Sequence, residues 1–199
     1  MPPGARHDGH ETLCAQLSWL RATLPVRFDS LLTHCCCCAR PADPPTQVLS
    51  LEDERYADWW AFGDRLGLYA MCHLTAVTTT AVVSRLAEKY PGVSWVIAHS
   101  GQSWGFAEDV AACVAGAAHG NVYAELTYTA VTNRVVEYLV GATDAGHVLF
   151  GTDAPMRDPR PQLGWVVWAD LPAEDRLRIV GANFDGILAR AGAGVADGC

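Results

Sequence analysis

The 199-residue sequence lacks any long apolar run. Its most apolar stretch, Val93 to Ala98, is six residues long, against the ~20 that a membrane-spanning helix needs. No membrane-spanning helix is therefore expected, and no membrane partner. A basic stripe is also missing. Lys and Arg total 14 against 22 Asp and Glu, for a formal charge of −8 and a pI near 5.2, so a nucleic-acid groove is not expected. Residues 1–10 have no apolar core of the kind a secretory signal requires, and the cytoplasm is the expected compartment. Spaced cysteine pairs are absent too. Four of the eight cysteines are consecutive, Cys35 to Cys38, and the others are scattered. This is neither a disulfide framework nor a zinc module. Beside His34, a soft-metal site is the lesser reading of that run and a reduced, irregular segment the greater one. Finally, no Gly-rich phosphate loop follows the first readable strand. Gly101 to Gly105 is only a faint candidate, which disfavours a small doubly wound binding domain.

What is present begins at Ser50. Residues 1–49 are rich in Pro and Cys, with one plausible helix over Glu11 to Leu24, and otherwise read as an irregular, poorly ordered leader. From Ser50, a good N-cap, a helix is expected over Leu51 to Leu66 and closed by Gly67. Apolar runs at Leu68–Cys72, Val93–Ala98, Asn121–Leu126 and His147–Phe150 then alternate with helical stretches at Ala76–Tyr90, Phe106–Ala118 and Val131–Val140. A last helix is expected over Pro172 to Arg190, with a break marked by Gly181 or Asn183. Residues 192–199 read as a flexible tail. Short, fully apolar strands between amphipathic helices are the pattern of a parallel α/β sheet covered on both faces.

Each apolar run ends at or near one polar, ligating side chain. His73, His99, Glu125 and Asp153 follow one another at intervals of 26, 26 and 28 residues. Parallel α/β units bring the C-terminal ends of their strands to one mouth, so a common period brings these four side chains together. Imidazole and carboxylate are donors that suit a divalent ion such as zinc, and they are also the groups that move protons in catalysis. Taken singly, each signal has an ordinary explanation. A strand-end His is more often a hydrogen-bonded loop residue, an Asp before Ala-Pro a turn former, and a strand Glu the partner of a buried Arg. The shared spacing is what raises the four to a candidate site.

Two segments carry a resemblance. Trp95 to Gly101 (WVIAHSG) and Val148 to Pro155 (VLFGTDAP) resemble hallmark stretches of the amidohydrolase-related family. That branch of the amidohydrolase superfamily includes metal-dependent hydrolases and zinc-dependent decarboxylases. Asn121 to Glu125 and the closing Leu171 to Leu188 are similar to its penultimate strand and last helix. The resemblance covers about Leu51 to Arg190. It implies the last four βα units of a partial (β/α)8 barrel and an enzyme acting on a small carboxylate-bearing or cyclic substrate. His73 and Asp153 would bind a divalent metal, most plausibly zinc, while His99 and Asp153 would handle protons. Glu125 would shape the substrate pocket. Arg157 and Arg160, on the loop after Asp153, match a substrate carboxylate, although loop solvation is their more ordinary role.

The family's first-strand His-x-His pair is not found. His7 and His10 are three apart and follow no apolar strand, and residues 1–49 have no room for four βα units. A truncated, non-catalytic half-barrel that only binds a partner is therefore the alternative expectation. Two open sheet edges would favour self-association.

Overall fold

The computed structural model describes residues 30–32, 50–127, 133–154 and 158–198. The Glu11–Leu24 helix, His7, His10 and the Cys35–Cys38 run lie outside them.

Five parallel strands stand side by side in chain order: β1 (Ser30–Leu32), β2 (Tyr69–Cys72), β3 (Ser94–Ile97), β4 (Val122–Glu125) and β5 (Val148–Leu149). Strands β2 to β5 are the four apolar runs of the sequence. β1 corrects the reading of the leader, since it pairs with β2 from within a segment that shows no strand pattern. Three residues are too few to display a period.

Helices α1 (Ala57–Leu66), α2 (Thr80–Lys89), α3 (Trp104–Ala115) and α4 (Val135–Ala142) alternate with the strands. Their ends have local causes. Before α1, Asp53 caps a short 3₁₀ turn (Glu54–Tyr56) by accepting from Arg55 N, so the helix starts later than Ser50 suggests. Gly67 closes α1 at φ 65°, a left-handed conformation that glycine adopts without steric cost. Thr79 and Ser103 cap α2 and α3 through their hydroxyls. Consequently, residues 76–79 are loop and not the first turn of α2.

The C-terminal part departs further from expectation. After β5 comes α5 (Pro159–Val167), capped by Asp158 and started by Pro159, where the sequence reading had only a loop. Next are α6 (Ala173–Leu177), a π turn (Arg178–Ala182) and α7 (Asn183–Gly198). The break anticipated near Gly181 is thus a widened turn within one continuous helical stretch. The helix also runs past Arg190 into the segment read as a tail.

The period-2 alternation of the strands sorts their side chains. Ala70, Cys72, Trp95, Ile97, Val122, Ala124 and Val148 face the helices and form the main core. Val96, Tyr123 and Leu149 face the opposite, concave side, where Ile187 of α7 joins them. Each fully buried aliphatic side chain contributes about 1.5–3 kcal/mol. Asn121 pins β4 in place, its Nδ2 donating to the carbonyls of Ala87, Tyr90 and Val93 at 3.0–3.4 Å. Among the described residues, no helix is long and apolar enough to cross a membrane.

Candidate active site at the strand ends

His73 directly follows β2, His99 lies two residues past β3, Glu125 ends β4, and Asp153 lies four residues past β5. The structure brings them to one end of the sheet. The rings of His73 and His99 meet edge to face, 4.9 Å between centres. The charge of Asp153 acts on both His73 and Glu125.

A tight turn makes this geometry. Ala98 N–H donates to Cys72 O at 3.0 Å, and Ser100 N–H donates to Glu125 O at 2.8 Å, tying the end of β3 to both neighbouring strands. Ser100 Oγ closes the turn on Ile97 O at 2.8 Å. Between these anchors, His99 adopts φ 64°. Asp153 sits at φ 54°, and Arg134 is the remaining non-glycine residue with positive φ among the described residues. Left-handed backbone at non-glycine residues costs on the order of 1 kcal/mol each and clusters where a site imposes geometry. Two of three such positions belong to the candidate set.

Glu125 is 3% exposed. Its Oε2 accepts from His99 N–H at 3.3 Å. Burial pushes its pKa up to about 7, despite backbone hydrogen bonds from His99 and Thr127 that lower it. Gly151 is the reason the carboxylate fits, because a Cβ there would overlap the Glu125 carboxylate and the Thr127 hydroxyl. Burial, and then the neighbouring His99, lower the pKa of His73, while Asp153 opposes them. His73 is therefore held as a neutral imidazole.

Thr127 is a member that the sequence reading missed. Its carbonyl oxygen meets His99 Nδ1, and the residue is 5% exposed. When Nδ1–H donates there, the lone pair resides on Nε2. Nothing in the Glu125-Leu126-Thr127 stretch signals this, since the contact is made by backbone.

Arg160 does not join the cluster. Arg160 stands in the first turn of α5 and not on a loop, and its Nε bonds both carboxylate oxygens of Asp158 at 2.9 Å. That guanidinium holds the Asp158 carboxyl down at about 2. Arg157 lies outside the described residues. A separate cleft between α4 and α5, lined by Arg134, Trp165 and Trp168, includes none of the four strand-end residues.

The donor chemistry suits a divalent ion, but the donor number does not. Among the described residues, no group of three or more His, Cys, Asp or Glu side chains is placed to hold a metal.

Fold and cluster together define a class: a parallel α/β unit of barrel type with its polar residues at the C-terminal strand ends. A family model described as Amidohydrolase matches residues 42–183, and the chain belongs to that family. Solved structures share the fold. The 2,6-dihydroxybenzoate decarboxylase from Rhizobium is 13% identical, with a TM-score of 0.62 over 90% of this chain and 67% of its own. A dihydroxybenzoic acid decarboxylase from Polaromonas sp. JS666, with bound manganese and the inhibitor 2-nitroresorcinol, is 14% identical, with a TM-score of 0.52 over 72% of this chain and 57% of its own. The 4-oxalomesaconate hydratase from Rhodopseudomonas palustris is 15% identical, with a TM-score of 0.57 over 98% of this chain and 65% of its own. No curated protein matches the sequence. The chain spans little more than half the length of the first structures it matches.

Proposed function

We propose that this chain carries the proton-handling wall of an amidohydrolase-type hydrolase or carboxy-lyase acting on a small carboxylate-bearing or cyclic substrate. The observation that carries the reading is the His73–His99 pair, 4.9 Å apart at adjoining strand ends, with His99 and Asp153 both in left-handed backbone. His99, whose Nδ1 is engaged by Thr127 O, presents Nε2 as the atom that accepts or returns a proton. His73, held neutral, accepts a hydrogen bond from substrate or water. Asp153 serves as the carboxylate that stabilises an imidazolium formed beside it. Decarboxylases and a hydratase among the structural neighbours support the substrate class.

A zinc ion held by His73 and Asp153 would need at least one donor from beyond the described residues. That shortfall favours the second reading, a non-catalytic half-barrel that only binds. One experiment separates the two. The chelator-stripped chain is titrated with zinc beside His73→Ala and Asp153→Asn, then assayed against small aromatic carboxylates and lactones. Binding near one equivalent, lost in both variants, with turnover abolished in His99→Ala, is the expected result. A folded wild-type chain that binds no better than the variants and turns over nothing sinks the enzymatic reading in favour of the remnant.

A further inference from the structure

The C-terminal helix occupies two places that a half-barrel would leave open. The first is the edge of β5. Leu149 O faces β4, accepting from Leu126 N–H at 3.0 Å, so Val148 O and Phe150 N–H point away from the sheet. In a closed barrel such groups pair with another strand. Here Asn183 Nδ2 donates to Val148 O at 2.9 Å and to Ala145 O at 2.6 Å. Phe150 N–H donates to Ile179 O, in the π turn, at 2.9 Å. The expectation of an open edge on this side is thereby corrected.

The second place is the concave face. Ile187, fully buried, enters the cluster of Val96, Tyr123 and Leu149. Phe184 meets Tyr69 edge-on, 5.3 Å between ring centres. Arg190 donates to Tyr123 Oη at 2.8 Å and to Ser94 Oγ at 3.2 Å. The helix thus crosses from β5 to β2 and α1, where Gly67 lies against the backbone of Arg190 and Ala191. Tyr69 and Ser94 open their strands, whereas His73, His99 and Glu125 stand at the other end. The helix therefore fills the floor of the half-barrel, at the end opposite His73, His99 and Glu125.

We propose that α7, with the π turn before it, is a self-supplied wall. It takes the place that further barrel strands would fill, so this sheet neither adds a strand at β5 nor buries its concave face against a second copy. The inference is independent of the catalytic reading, and its test uses no substrate. Amide hydrogen exchange is measured on the full chain at Phe150, across a dilution series followed by light scattering, together with binding of an apolar dye. The wild-type chain is expected to keep Phe150 protected in the monomer and to bind little dye. Ile187→Glu is expected to speed exchange at Phe150 and to raise dye binding. Asn183→Ala, a milder change, is expected to speed Phe150 exchange on the order of tenfold while the circular dichroism stays native. Should Ile187→Glu unfold, the decision rests on Asn183→Ala and the wild-type dilution series. Protection of Phe150 that disappears as the protein dissociates would overturn the proposal, because a second copy would then be sealing the edge. Unchanged exchange in Asn183→Ala would overturn it as well.

Discussion

At the scale of single residues, Glu125 is the group with the clearest consequence. Its folded pKa, about 7, exceeds the ordinary 4.5, so the folded chain holds this proton more tightly than the unfolded chain does. The contribution of Glu125 to stability therefore falls as pH rises from about 4.5 to about 7 and stays constant above that window. Glu125→Gln is expected to be more stable than wild type at pH 8, by at most about 3 kcal/mol, with the gap closing near pH 4. Denaturant unfolding of both proteins across that range reads the effect, and a pH-independent difference would refute the burial argument. Gly151→Ala is expected to cost about 3 kcal/mol by overlap with the same carboxylate. Pairing it with Glu125→Ala should recover part of that loss, a coupling that a double-mutant cycle measures directly. Asp153→Asn should leave stability within about 1 kcal/mol, because Asn tolerates the left-handed conformation, while removing the carboxylate to which the proposed chemistry is assigned.

At the scale of elements, the strands carry two-sided burial, and the segments just after them carry His73, His99 and Asp153. Asn121 shows how one polar side chain fixes a strand, by satisfying three carbonyls at the end of α2 and the start of β3. Asn121→Ala removes this shared donor, leaving Tyr90 O only its bond from Val93 N–H, and is expected to lower stability by about 2–3 kcal/mol, measured by thermal unfolding. Helix α1 ends where its sequence places a glycine able to take the left-handed closing conformation, at Gly67. The start of the helical segment lies later than Ser50, because Asp53 accepts from Arg55 N and caps the turn before α1. Helix α5 escaped the sequence reading because its short Pro- and Gly-containing stretch shows little periodicity. Its N-cap, Asp158, also claims Arg160, which explains why a residue suited to a substrate carboxylate is committed elsewhere.

For the whole molecule, the sequence alone determined the α/β class, the four strands β2 to β5 and the gathering of His73, His99, Glu125 and Asp153. All three follow from local periodicity and from the rule that parallel strands end on one side. The same residues carried the family resemblance that the match over residues 42–183 bears out. Tertiary structure alone decided what long-range contact controls. Such contacts placed the His99 ring against a backbone carbonyl of β4's exit loop and Glu125 in a space that exists only because Gly151 lies opposite. They also laid α7 across the concave face. An amphipathic helix has an apolar stripe in its sequence, but the surface that stripe covers depends on which surfaces the rest of the chain leaves free. Here one of those free surfaces was the face where a closed barrel has its interior.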